Sequence, residues 1–267
     1  MVKNFWAGLL GRYASGILTV CLFAFMAAGI AGCDTWGQER VSKPEFSWSV
    51  PGKSVQGRPI ECLSMGNGER TVLVMATIHG DEFAGTPLVR KMIDHLNKNP
   101  QKLARLRVVV MPMANPDGYA LGQRYNANGV DLNRNFEAEN RVNNEVNGPR
   151  GLSEPESRVI RDIIRSYRPE RIITLHQPLE CVDYDGPAGD VAYAMARCCD
   201  LPLNKLGSRP GSLGAYAGER LSIPTVTVEL REEDSQKSAD ELWRAYGRML
   251  LAGVFYPEPV TDFIVAK

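Results

Sequence analysis

Apolar positions along the chain fall into two alternating patterns. Short runs rich in β-branched residues, Thr71 to Ile78, Val108 to Met113, Arg171 to Leu175 and Pro224 to Leu230, lack the alternation of a half-solvated strand and predict strands buried on both faces. Between them lie amphipathic stretches at helical spacing, Gly85 to Asn97, Pro155 to Tyr167, Gly189 to Cys199 and Ala239 to Tyr256. Ser153 followed by Glu156 predicts a capping box at the start of the second helix, where Pro155 suits the first turn. Strand and helix alternation of this kind predicts a three-layer α/β/α sandwich around a mixed, largely parallel central sheet.

The N-terminus has a different character. Lys3 and Arg12 precede an uncharged run from Ala14 to Gly32 that ends Ile30-Ala31-Gly32-Cys33. Small residues directly before a cysteine resemble a bacterial lipobox, so residues 1–33 are expected to be a lipoprotein signal peptide with Cys33 lipidated. The polar, aperiodic residues 34–46 then form a tether, and a single domain fills 47–267. This arrangement predicts a bacterial cell-envelope protein, anchored to the membrane by its N-terminal lipid and facing the periplasm. Asp34, following the lipid cysteine, favours the inner membrane under the enterobacterial sorting rule.

Charge narrows the partners. The chain carries 31 basic and 31 acidic residues. Without residues 1–33 there remain 29 basic and 31 acidic, a net of −2, which gives no whole-chain attraction to nucleic acid. Of the six cysteines, Cys21 leaves with the signal and Cys33 takes lipid. Cys62, Cys181, Cys198 and Cys199 remain, open to disulfide formation or to burial as free thiols.

The candidate chemistry gathers at strand ends. His79-Gly80-Asp81-Glu82 follows the first buried run, and His176 follows another. Two imidazoles and one carboxylate form a ligand set that leaves one open position on a tetrahedral zinc. In open α/β sheets, such sites collect beyond the carboxyl ends of the strands. Glu229, closing an otherwise apolar strand, needs a partner or a function if buried. Asn115 and Asp117 suit a turn, and His95, flanked by Asp94 and Lys98, is expected to face solvent.

Taken in order, HGDE at 79–82, NPDGY at 115–119, GVDLNRNF at 129–136, LHQP at 175–178 and TVTVEL at 225–230 resemble the zinc carboxypeptidases of the carboxypeptidase A type. Within that family the likeness is greatest to the murein peptide amidases, which cleave the γ-D-glutamyl-diaminopimelate bond of cell-wall peptides. It covers about residues 55–232, including GSLGAYAG at 211–218. The resemblance implies zinc held by His79, Glu82 and His176, with Asp131 orienting a ligating histidine. It implies Glu229 as the general base and Arg124 as the stabiliser of the oxyanion. Asn133 and Arg134 would grip the substrate's terminal carboxylate. The implied partner is a peptidoglycan-derived peptide.

Two departures stand out. Asp81 occupies the place of the arginine that precedes the zinc-binding glutamate in digestive carboxypeptidases, and no tyrosine stands near Gly207 to match their mobile tyrosine. Tyr216 stands nearer the catalytic glutamate and could substitute, its role left open. A deacylase of the aspartoacylase type, acting on N-acyl amino acids, and a non-catalytic peptide-binding lipoprotein are the competing readings.

Overall fold

A computed structural model describes residues 45–260. The signal peptide, the lipidation site Cys33 and all but the last two residues of the tether lie outside the described residues. Among the described residues no helix is long and apolar enough to cross a membrane.

Seven strands form one sheet: β1 (Phe46–Lys53), β2 (Pro59–Met65), β3 (Arg70–Ala76), β4 (Leu106–Met111), β5 (Arg171–His176), β6 (Cys181–Asp185) and β7 (Thr225–Glu229), in the order β1-β2-β4-β3-β5-β7-β6. The central strands β4, β3, β5 and β7 are mutually parallel, while β1, β2 and β6 run antiparallel to their neighbours. Helices cover both faces, which is why the central strands carry almost no exposed position. On one side pack α1 (Gly85–Lys98), α4 (Gly189–Ala196) and α5 (Ala239–Phe255), and on the other α3 (Pro155–Tyr167). The mixed three-layer sandwich read from the sequence is the fold observed.

Local rules account for several ends. Ser238 caps α5 reciprocally with Glu241, and Leu242, Tyr246, Met249 and Leu250 then line its buried stripe. Each such side chain removed from water contributes about 1.5–3 kcal/mol. Asn115 caps the short α2 (Pro116–Leu121) by accepting from the Gly118 N–H at 2.9 Å, so its turn-shaping role is as read.

Other expectations are corrected. The N-cap of α3 is Glu154 rather than Ser153, and it makes no side-chain cap hydrogen bond. Ser153 instead bonds to the Glu154 carboxylate and accepts from Asn135, while Glu156 receives the Val55 and Asn126 N–H groups. His95 is half-buried, with its ring 5.4 Å from that of Trp243, because α1 packs against α5. Strands β1, β2 and β6 had no counterpart in the apolar pattern. β1 is an edge strand exposed along most of its length with an irregularity between Ser49 and Gly52, and β6 is interrupted by two acids. Cys62, Cys181, Cys198 and Cys199 are all free thiols, and burial pushes those of Cys62 and Cys181 up to about 11.

Candidate active site

Because the four central strands are parallel, β3, β5 and β7 all deliver their carboxyl ends to the same sheet edge. His176 closes β5 and pairs in register with Glu229, which closes β7. The third contributor comes from the turn after β3. Thr77 there has a positive φ of 57°, unusual for a β-branched residue. A network compensates: Thr77 Oγ1 meets Thr86 Oγ1 at 2.7 Å, and the Asn115 N–H binds the Thr77 carbonyl at 2.9 Å. Gly80 lets the same turn lie on the start of α2, since a Cβ would come within 2.0 Å of the Gly118 carbonyl carbon. His79 and Glu82 are thereby turned toward His176.

The three side chains converge. His79 Nδ1 lies 2.6 Å from Glu82 Oε1, His176 Nδ1 lies 2.8 Å from Glu82 Oε2, and the two Nδ1 atoms face each other at 3.2 Å. One ligand atom from each falls within 4.8 Å of the others, and all three residues are buried. Two imidazole nitrogens so close require a proton or a cation between them, and an N, N, O donor set of this kind fits zinc. Burial would lower the His79 pKa, but Glu82 and Asp131 outweigh it and push it to about 9. Burial would raise that of Glu82, yet the two histidines draw it to about 2. The Glu82 carboxylate is therefore held ionised at the shared point.

Asp131 organises the surroundings. Its Oδ1 accepts from His79 Nε2 at 3.0 Å and from the Asn133 N–H at 2.9 Å, and its Oδ2 accepts from Arg124 Nε at 3.0 Å. The first bond makes Nε2 the donor to Asp131 and turns Nδ1 toward the shared point. Burial opposes ionisation of Asp131, but His79 and Arg124 hold its carboxyl well below the usual range. Arg124 also stands 3.5 Å from Glu82. Asn133 is fixed by accepting the Leu213 N–H at 2.9 Å, so its amide N–H groups remain as donors. Arg134 donates to the Asn133 carbonyl at 2.5 Å.

His79, Glu82, Arg124, Asn133, Arg134 and Glu229 share one cleft of about 360 Å³. His176 and Asp131 do not line it but are bonded to residues that do, Glu82 and Arg124. Glu229 is half-buried, and desolvation raises its pKa, in keeping with a carboxylate that exchanges protons. Tyr216, whose role the sequence leaves open, is buried and stacked on Phe136 with ring centroids 5.8 Å apart, and it does not line the cleft. Thr174, Gln177, Asp183, Asp185 and Arg209 also line it and were missed. Two acids alternating along VDYD, inside a buried segment, were the available signal.

Comparison with known proteins agrees with this geometry. The profile of the family described as zinc carboxypeptidase (Peptidase M14) matches residues 39–185. Murein peptide amidase A of Escherichia coli strain K12 is 29% identical over 218 residues, covering 74% of this chain and 87% of that protein. Murein peptide amidase A of Vibrio campbellii is 31% identical over 204 residues, covering 67% and 77%. Among solved structures, the murein-tripeptide amidase of Escherichia coli O157 superposes with a TM-score of 0.61 at 25% identity, covering 82% of this chain and 97% of that one. Carboxypeptidase A of Helicoverpa armigera shares the fold, with a TM-score of 0.63 at 21% identity over 79% and 69%. With its family profile matched over more than half its length and a His-Glu-His group at the sheet edge, the chain is a hydrolase that belongs to the zinc carboxypeptidase family.

Proposed function

We propose that this zinc-dependent peptide hydrolase cleaves the γ-D-glutamyl-diaminopimelate bond of peptidoglycan-derived peptides. One observation carries the reading: Asn133 and Arg134, donors suited to a carboxylate, line the same cleft as Glu229, His79 and Glu82, with His176 bonded to Glu82. Such a cleft fits an amide bond beside a free terminal carboxylate, and the murein peptide amidases among the relatives supply the substrate class.

His79, Glu82 and His176 would hold the zinc ion, which supplies a Lewis acid and an acidified water. Glu229 accepts the proton of the attacking water and returns it to the leaving amine. Arg124, tethered by Asp131 and close to Glu82, offers its guanidinium to the negative charge developing on the carbonyl oxygen. Arg134 and Asn133 anchor the terminal carboxylate, which fixes the scissile bond against Glu229. The sequence Ile30-Ala31-Gly32-Cys33 further supports a lipid anchor on the periplasmic face, which would hold the enzyme beside its polymer.

Incubation with L-Ala-γ-D-Glu-diaminopimelate, with and without a chelator, tests the reading. Release of free diaminopimelate, abolished by the chelator and restored by zinc, is expected. Turnover of N-acyl amino acids without action on this tripeptide would overturn it in favour of a deacylase.

A further inference from the structure

Glu154 does not line the cleft, yet its carboxylate is where two loops of the cleft meet. The residue is buried at the N-cap of α3, and among the described residues its side chain takes hydrogen bonds from neutral donors. Oε2 accepts from the side-chain amides of Asn126 and Asn128, both at 2.8 Å, and Oε1 accepts from the Ser153 hydroxyl at 2.8 Å. Ser153 Oγ in turn accepts from the Asn135 amide at 2.9 Å, while Asn135 Oδ1 accepts the Glu154 N–H at 3.1 Å. A carboxylate is an acceptor only, so donors from both loops can converge on it.

Each arm of this network shapes a loop that carries an arginine of the cleft. Asn126 is fully buried between Arg124 and Asp131, and its Oδ1 accepts the Asn128 and Val130 N–H groups at 3.0 and 3.1 Å. Asn135 follows Arg134 directly; its N–H binds the Leu132 carbonyl at 3.1 Å and its carbonyl accepts the Leu152 N–H at 2.6 Å. Neither guanidinium is fixed independently of its loop. Arg124 is held through Nε by Asp131, at the far end of the same loop, and its 3.5 Å approach to Glu82 is longer than a normal hydrogen bond. Arg134 donates to the carbonyl of its own neighbour, Asn133. Both side chains therefore follow their backbones, and both backbones are tied at Glu154.

We propose that Glu154 is a positioning residue that sets Arg124 and the Asn133-Arg134 pair against each other, acting through the side chains of Asn126 and Asn135. The inference rests on the oxyanion and carboxylate roles proposed above for those residues, and it adds to them a group that touches no substrate.

The test measures kcat and KM on L-Ala-γ-D-Glu-diaminopimelate for the wild type, Glu154→Ala, Glu154→Gln and Asn128→Ala, each checked for an intact thermal transition and for zinc content. In Glu154→Ala, Glu156 still accepts from Asn126, at 3.1 Å, and the backbone N–H of residue 154 still reaches Asn135, so the two loops are loosened rather than lost. Its kcat/KM is expected to fall about 10²-fold, the scale of a small misplacement of catalytic groups, with kcat lowered through Arg124 and KM raised through Arg134. Glu154→Gln, which keeps an oxygen for Asn126 and Asn128, should recover most of that loss. Asn128→Ala, at an exposed position, removes one bond to the same carboxylate and should show the same pattern at about tenfold. In an Arg124→Ala background, Glu154→Ala should lower kcat little further, because the group through which it acts on kcat is gone. Wild-type kinetics in both alanine variants, loss of zinc from a folded Glu154→Ala, or kcat losses that multiply in the double variant overturn the proposal. Amide hydrogen exchange over residues 122–136, read without substrate, separates the coupling from the murein reading. Faster exchange in both loops of Glu154→Ala is expected, and unchanged exchange overturns the coupling whichever substrate is cleaved. A wild type inert toward the tripeptide overturns the murein reading instead, and the kinetic comparison then moves to the N-acyl amino acid that it hydrolyses.

Discussion

Asp131 and His79 are joined by a 3.0 Å bond from the ring Nε2 to a buried carboxylate oxygen, although 52 residues separate them in the chain. The bond determines which histidine nitrogen faces Glu82 and His176, and the same carboxylate restrains Arg124. One acid thereby couples the proposed metal site to the proposed oxyanion site.

Asp131→Asn keeps the side chain's shape but removes its charge. Zinc affinity is expected to fall about 10- to 100-fold, as for other outer partners of ligating histidines. Competition with a chromophoric chelator measures it, and unchanged affinity would remove Asp131 from the metal's support.

Glu229→Gln is expected to retain zinc while lowering kcat by about 10²- to 10⁴-fold, the range for loss of a positioned general base. Metal analysis of the purified variant beside its initial rates separates the two effects. Turnover at the wild-type rate would exclude Glu229 from proton transfer.

Gly80→Ala forces a Cβ against the Gly118 backbone, which cannot yield as a flexible side chain would. Stability should fall by about 1–3 kcal/mol and zinc should be bound more weakly, because the same turn carries His79 and Glu82. Urea denaturation and metal titration check the two halves. A soluble variant with wild-type midpoint and affinity would show that the turn tolerates the shift.

Asp185→Asn should alter stability in a pH-dependent way. Asp183, Glu219 and Lys205 surround the carboxyl, and its pKa of about 6 in the folded protein lies above its ordinary value. A raised acid pKa means that the favourable contribution of the protonated form is fully present below the unfolded pKa near 3.9 and is lost as pH rises through about 6. The variant, which cannot ionise there, should therefore gain on the wild type as pH rises, by on the order of 1–3 kcal/mol at pH 8. Thermal melts from pH 4 to 8 measure the gap. A constant difference would mean that Asp185 does not titrate in this window.

By itself the sequence determined the central strands and the helices that cover them, because strands buried on both faces and amphipathic helices leave distinct periodic traces. It also determined the chemically conspicuous residues: His79, Glu82, His176 and Glu229 stand at the ends of apolar runs, where their cost without a role is legible. The edge strand β1, exposed along most of its length, left no such trace, and the Ser153 cap failed because Asn135 and Glu154 compete for its hydroxyl. The fit of the site belonged to the tertiary structure. The strained Thr77 turn, the contact of Gly80 with Gly118 and the register that stacks Thr174, Thr227 and Asp183 beneath His176 and Glu229 arise from strand pairing across long separations. Local pattern carries no information about which distant strand becomes a neighbour, and that pairing alone turned the acids of VDYD into the floor of the cleft.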